Sequence, residues 1–123
     1  MVTLLSIAMT LYCEAASEGE IGMRAVASVI YNEASRTGKD YTAVCQNPRR
    51  YSCWRDIDAF QIDETSGAWK TARKLARQMV IREFRPDGTW THYYNPRLAN
   101  PNWADLMINV SEIGNHRFGV LED

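Results

Sequence analysis

Cysteine and histidine are scarce in this sequence: 123 residues contain three cysteines and two histidines. Three cysteines cannot all pair, and their spacing is not that of a zinc knuckle. Cys45 and Cys53 could form a disulfide in an oxidising compartment, but we expect three reduced thiols, with Cys13 as a packing residue. The sequence has no His-Glu-x-x-His stretch, which argues against a zinc site that uses His92 and His116. We expect no metal ion and no cofactor.

Net charge and long apolar runs are also lacking. The formal net charge is −1 at pH 7, which argues against a nucleic acid or an anionic membrane surface as a partner. No apolar run reaches the ~20 residues of a membrane-spanning helix, so we expect no membrane insertion. With 46% hydrophobic residues in 123 positions, the sequence predicts one globular domain, residues 1–123, and a monomer.

A basic N-terminal segment is missing as well. Residues 1–16 are apolar, but the first basic residue of the chain is Arg24. Secretion signals begin with positively charged residues. We therefore expect no signal peptide.

Three carboxylates stand within seven residues, at the end of an apolar helical pattern. The buried face of that helix is marked by apolar residues at helical spacing: Leu4, Ala8, Leu11 and Ala15. Glu14 flanks this face, and desolvation there would raise its pKa because the charged form is disfavoured. A carboxyl group with a raised pKa can serve as a general acid, so Glu14 is the candidate acid. The structural alternative is that the acidic residues serve solubility or capping.

Glu18 lies one helical turn after Glu14, with about 5–6 Å between the Cβ atoms. It could raise the pKa of Glu14 by charge repulsion, act as a second catalytic carboxylate, or orient the loop before the next helix. Glu20 is expected to be a helix N-terminal carboxylate, favoured by the macrodipole. Asp56 and Asp58 are further candidates for the second carboxylate.

The periodicity predicts a mainly helical α+β domain. We expect three longer helices, from about Thr3 to Ser17, from Glu20 to Arg36 and from Ala68 to Phe84. A short helix is expected after Asp40, which would cap it. The second helix is too apolar for a surface helix, which places it in the core. Strands are predicted at residues 89–94 and 116–120, and the two could pair.

The first predicted strand carries candidate substrate-binding residues. Alternation places Thr91, Tyr93 and Asn95 on one face and His92 with Tyr94 on the other. Aromatic rings stack on sugars, and amides and hydroxyls bond to their polar groups, although core packing would also explain the aromatic residues.

Two further candidates lie outside this strand. Trp54 belongs to an irregular segment, residues 46–62, that aromatic side chains are expected to pin. Asn32 is an amide in an apolar helix and needs partners, as a scaffold hydrogen-bonder or as a site residue.

Three blocks of residues follow one another along the chain. The first comprises Tyr12-x-Glu14-Ala15-x-x-Glu18, Gly22 and Ala25-Val26-Ala27-x-Val29-x-x-Asn32. The second runs from Cys45 to Ser52-Cys53-Trp54. The third comprises Thr91-His92-Tyr93-x-Asn95-Pro96, Pro101-x-Trp103-Ala104 and Ile113-Gly114-x-His116-x-Phe118. In this order they resemble the SleB-like, spore-cortex-lytic family of cell-wall hydrolases.

This resemblance implies a lysozyme-like domain in which a small antiparallel β-hairpin forms one wall of a groove above two core helices. The resemblance also implies cleavage of peptidoglycan glycan strands between MurNAc and GlcNAc by a lytic transglycosylase reaction. One Glu protonates the glycosidic oxygen and then helps the muramic acid's own hydroxyl to close a 1,6-anhydro ring. The family's catalytic Glu carries over onto Glu14 and its second motif Glu onto Glu18.

The chain departs from the family pattern at four positions. The family usually has Arg-Gly at Ala16-Ser17 and Arg at Glu33, and often His at Tyr94. These changes bear on substrate preference and loop geometry but not on the acid.

Several alternatives stay open at this point. A muramidase-type hydrolase needs the same acid. A peptidoglycan amidase would need a metal or a nucleophile such as Cys13 with a histidine, and a glycan-binding module would need no catalysis. Since neither a signal nor a wall-binding repeat is evident, we expect a bacteriophage endolysin released by a holin, or a virion lysozyme, that acts on the bacterial cell wall. A fragment of a bacterial protein is the main rival.

Overall fold

Four α-helices and a three-stranded sheet make up the part of the chain that the computed structural model describes, residues 2–56 and 61–122. The helices are α1 (Val2–Ala15), α2 (Gly19–Thr37), α3 (Tyr41–Cys45) and α4 (Gly67–Val80), with 3-10 turns at Ser52–Arg55 and Ala104–Leu106. The strands are β1 (His92–Tyr94), β2 (Ile108–Ile113) and β3 (His116–Val120). The expected class, mainly helical with a small antiparallel hairpin, is confirmed.

Helix α1 packs against α2, α3 and α4. Ala8, Leu11 and Ala15 are fully buried, as their helical spacing predicted. Every residue of α2 from Ala25 to Ile30 is buried, which confirms α2 as a core helix. The three carboxylates therefore lie at the junction of two buried helices.

The helix boundaries follow the local sequence closely, except at the end of α4. Asp40 caps α3 as predicted, because its Oδ1 accepts a hydrogen bond from the backbone N–H of Ala43 at 2.8 Å. The prediction that α4 continues to Phe84 was wrong, since it ends at Val80. Arg82 has φ 64°, a left-handed conformation that cannot continue a right-handed helix.

The sheet has the order β1-β3-β2, and both pairings are antiparallel. The predicted pairing of the two strands is confirmed, with Tyr93 opposite Phe118. Strand β2 was not predicted because it lacks a buried face: Ile108 and Val110 are exposed, and a bulge interrupts the register. Within residues 2–56 and 61–122, no helix has both the length and the apolar content that crossing a bilayer requires.

Candidate active site

Glu14 lies in the last turn of α1, half-buried, where its carboxylate accepts a hydrogen bond from the Tyr93 hydroxyl of β1. Burial raises the pKa of Glu14. The Tyr93 hydrogen bond and the nearby His116 act in the opposite direction and do not outweigh burial. Burial is the largest cause of the raised pKa of Glu14, so charge repulsion from Glu18, one of the roles considered for it, is not needed to explain the direction of the shift.

Tyr93 joins the sheet to the carboxyl group. Its ring stacks on Phe118 at a centroid distance of 5.2 Å and meets the His116 ring edge-on at 5.3 Å. Burial of the hydroxyl, together with the charge of Glu14, raises the pKa of Tyr93 well above its usual range. The hydroxyl therefore keeps its proton and remains a hydrogen-bond donor to Glu14.

Glu18 stands immediately before α2 and bonds to the turn between β2 and β3. Its Oε1 accepts a hydrogen bond from the backbone N–H of Asn115 at 3.1 Å and lies 3.2 Å from Nδ1 of His116. Its Oε2 accepts a hydrogen bond from the Asn115 amide at 3.0 Å. Burial acts to raise the pKa of Glu18, but these hydrogen bonds and the charge of His116 outweigh it, so the pKa is lowered. Glu18 is thus ionised and holds the turn between β2 and β3 against the start of α2.

Two glycines leave space for the Glu18 side chain. A Cβ atom at Gly114, where φ is 58°, would lie 2.8 Å from Oε1 of Glu18. A Cβ atom at Gly22 would lie 2.6 Å from Cβ of Glu18. A side chain at either position would push Glu18 off its partners.

Asn32 and Thr91 are used within the scaffold. The Asn32 amide donates hydrogen bonds to the carbonyls of Gly88 at 2.9 Å and Trp90 at 2.8 Å. Thr91 is buried, and its hydroxyl accepts the backbone N–H of Leu121 at 2.9 Å. The scaffold interpretation of Asn32 thus has its partners, while substrate contact by either residue stays a prediction.

The other predicted substrate residues are partly exposed. His92 packs against Trp103 at 5.1 Å between ring centroids, on the opposite face from Tyr93 as alternation predicted. Asn95 accepts the backbone N–H two residues further on at 3.0 Å and stabilises a turn. The Trp54 indole N–H donates a hydrogen bond to the hydroxyl of Thr10 at 2.9 Å. Thr10 lies one turn before Glu14 in α1. Contact of these side chains with substrate stays a prediction.

One group of possible metal donors occurs in the described part of the chain: Cys13, Glu14 and Cys53, whose donor atoms lie within 4.8 Å of one another. Neither His92 nor His116, the two histidines considered as zinc ligands, belongs to this group. Among the other carboxylate candidates, Asp56 is exposed, and Asp58 lies outside the described residues.

Sequence reasoning missed the residues that hold Glu18. Asn115 was not singled out. His116 was considered as a zinc ligand, as a strand residue and as part of the third block, but not as a partner of Glu18. The dipeptide Gly114-Asn115 is typical of a tight hairpin turn and could have indicated β2 and its loop. Arg50 was also missed: it donates to the Thr91 carbonyl at 2.6 Å and pairs with Glu33 at 3.1 Å.

Neither of the two main surface cavities among the described residues includes Glu14. The larger, about 710 Å³, lies between α2, α3 and the end of α4 and includes Tyr31, Tyr41 and Phe84. The smaller, about 190 Å³, adjoins the hairpin turn at Asn115 and His116. The larger cavity includes one carboxyl group, that of Asp40, which is exposed and caps α3. Glu14 therefore stays the candidate acid.

Comparisons with known proteins agree with this fold. The family model described as Cell Wall Hydrolase matches residues 17–119. The catalytic domain of the germination-specific lytic transglycosylase SleB from Bacillus anthracis is similar at 27% identity and TM-score 0.77, over 97% of this chain and 94% of that domain. The catalytic domain of the Bacillus cereus SleB protein is similar at 25% identity and TM-score 0.75, over 96% and 89%. No curated protein matches the chain.

Proposed function

The chain belongs to the cell wall hydrolase family, and on that premise we propose that it cuts peptidoglycan glycan strands as a lytic transglycosylase. The proposed bond is the β-1,4 linkage between MurNAc and GlcNAc, and the proposed acid and base is Glu14. The observation that carries this proposal is the half-buried Glu14 carboxyl group, whose pKa is raised and which accepts the Tyr93 hydroxyl. The similarity to a SleB domain that is described as a lytic transglycosylase supports the reaction type.

The reaction needs one carboxyl group in two protonation states. Protonated Glu14 donates its proton to the glycosidic oxygen, the bond to C1 of MurNAc breaks, and GlcNAc leaves with a free hydroxyl. The C6 hydroxyl of MurNAc then attacks C1 and gives its proton to the Glu14 carboxylate. An anhydro ring forms, no water is consumed, and Glu14 ends protonated. The Tyr93 hydroxyl stabilises the carboxylate between the two steps.

Glu18 favours this reaction over a muramidase. An inverting hydrolase requires a second carboxylate that activates water. Both oxygens of Glu18 are occupied by Asn115 and His116, so we assign Glu18 a positioning role. A transglycosylase needs no second carboxylate, because the substrate supplies the nucleophile.

An amidase that uses Cys13 has less support. In the described part of the chain, the hydrogen-bond partner of the Cys13 thiol is the Cys53 thiol, whereas a Cys–His hydrolase would place an imidazole there. Trp54, His92 and Asn95 are the side chains that we propose as glycan contacts, since all three are partly exposed.

Product analysis tests the reaction. Purified peptidoglycan would be digested in heavy-oxygen water and the soluble fragments analysed by mass spectrometry. We expect anhydro-muramic ends, lighter by one water than muramidase products and free of heavy oxygen. Reducing-end muramic acid that carries heavy oxygen would establish a hydrolase instead, and release of peptides with intact glycans would establish an amidase.

Tyr93→Phe tests the environment of the acid. Its hydrogen bond lowers the pKa of Glu14, so its loss should raise that pKa further. Activity is lost as pH rises through the pKa of a general acid, and the alkaline limb of the profile should therefore move to higher pH. We expect kcat/KM to fall about tenfold at the optimum, since a charge-assisted hydrogen bond to the reacting carboxylate is lost.

The matched control is Tyr94→Phe, because Tyr94 packs on Trp103 and its hydroxyl bonds to Arg117. This variant should leave the alkaline limb in place. If the limb of Tyr93→Phe stayed in place or moved to lower pH, Tyr93 would not be a partner of the acid.

A further inference from the structure

Two cysteines from distant parts of the chain meet beside the candidate active site. Cys13 belongs to α1 and Cys53 to the 3-10 turn Ser52–Arg55, and both are half-exposed. Their thiols are joined by a hydrogen bond, and their sulfur atoms lie within 4.8 Å of each other. This pair differs from the one that the sequence suggested, Cys45 with Cys53.

Cys45 is set apart from this pair. It is fully buried among the core residues, and burial raises the pKa of its thiol to about 12. A thiol that is neither accessible nor ionised does not attack a disulfide.

We propose that Cys13 and Cys53 are an oxidation site, which forms an internal disulfide with a small-molecule disulfide such as oxidised glutathione. Glutathione keeps protein thiols reduced in the cytosol and no longer does so outside the cell. The bond would therefore form when the chain reaches an oxidising compartment, independently of the function proposed above.

The two thiols have different roles in the exchange. The Cys13 sulfur attacks one sulfur of oxidised glutathione, its proton passes to solvent, and one glutathione thiolate leaves. Cys53 then loses its proton and attacks the Cys13 sulfur of the mixed disulfide, and the second glutathione leaves. Two protein thiols are oxidised to one disulfide while one glutathione disulfide is reduced to two thiols. The hydrogen bond from Cys53 lowers the pKa of Cys13, although burial and the Glu14 charge oppose it, and this favours Cys13 as the first nucleophile.

The disulfide would fasten the segment that carries Trp54 to the helix that carries Glu14. It closes a loop of about 40 residues, which removes conformational entropy from the unfolded chain. We expect Tm to rise by about 8 °C on oxidation and to return to the reduced value after treatment with dithiothreitol.

The test uses the full chain incubated with oxidised glutathione, followed by mass spectrometry, a count of free thiols and peptide mapping. We expect the loss of two hydrogen atoms, one remaining free thiol and a cross-linked pair of peptides that contain Cys13 and Cys53. Cys45→Ala should behave in the same way, whereas Cys13→Ser and Cys53→Ser should not form the cross-link and should show no rise in Tm.

Three free thiols after incubation, a stable glutathione adduct, or a cross-link between Cys45 and Cys53 would each overturn the proposal. These measurements do not use glycan cleavage. Failure here would leave the role of Glu14 intact, and failure of the cleavage assay would leave the disulfide intact.

Discussion

Replacement of Glu14 by glutamine should lower the rate of glycan cleavage by about a thousandfold, within the range that general acid catalysis contributes. Glutamine preserves the shape of the side chain and can still accept the Tyr93 hydroxyl, but it has no proton to donate to the glycosidic oxygen. The measurement is the initial rate of release of soluble fragments from purified peptidoglycan. Binding of the variant to insoluble peptidoglycan should persist, because the substituted amide occupies the same space.

The control for this variant is Glu83→Gln, which changes an exposed carboxylate beyond the end of α4. Its cleavage rate should equal that of the native chain. Because burial raises the pKa of Glu14, ionisation of Glu14 costs stability, and this cost grows as pH rises from its unfolded-state pKa through its folded-state pKa. Glu14→Gln should therefore have a Tm near neutral pH no lower than the native value. Full activity of a well-folded Glu14→Gln chain would remove Glu14 from the mechanism.

Replacement of Glu18 by alanine should destabilise the fold by about 3 kcal/mol, since hydrogen bonds to a charged acceptor contribute about 1.5–3 kcal/mol each and their loss leaves donors unpaired. The side chain is 5% exposed and bonds to Asn115 and His116. Urea unfolding near neutral pH measures the change. The comparison is Glu20→Ala, whose ion pair with Lys74 joins two half-exposed side chains at 3.3 Å and should contribute less than about 0.5 kcal/mol.

The pH dependence of the unfolding free energy provides a second test of the role of Glu18. The pKa of Glu18 is lowered in the folded chain, so its stabilising effect is present above its unfolded-state value of 4.5 and disappears as pH falls through the lower folded-state value. The difference in unfolding free energy between the native chain and Glu18→Ala should therefore shrink below about pH 4.5. A variant with native stability but without cleavage would show that Glu18 takes part in the reaction and does not act by positioning.

Glu33, one departure from the family pattern, has two charged partners in the structure. Where the family usually has an arginine, this chain has Glu33, which pairs with Arg36 at 2.9 Å and with Arg50 at 3.1 Å. Arg50 also donates to the carbonyl of Thr91, directly before β1. Through Glu33 and the Thr91 carbonyl, Arg50 joins the start of β1 to α2.

The helical core could be predicted from the residues because its determinants are local. Apolar spacing identified α1, continuous apolar character identified α2, and Asp40 identified the start of α3. The half-buried position of Glu14 followed from the same spacing, since a residue beside the buried face of a helix is half-buried whatever packs on it. The family resemblance rested on residue types in order, which are also properties of the chain alone.

Contacts between residues that are far apart in sequence determined the other features of the candidate site. The Tyr93 hydroxyl reaches Glu14 across 79 positions, and Asn115 reaches Glu18 across 97. Cys53 met Cys13 and not the nearer Cys45. No local pattern encodes such pairs, because they depend on how the sheet and the 3-10 turn pack against α1. Periodicity therefore located the candidate acid, whereas packing supplied its hydrogen-bond donor, engaged both oxygens of Glu18 and brought the two thiols together.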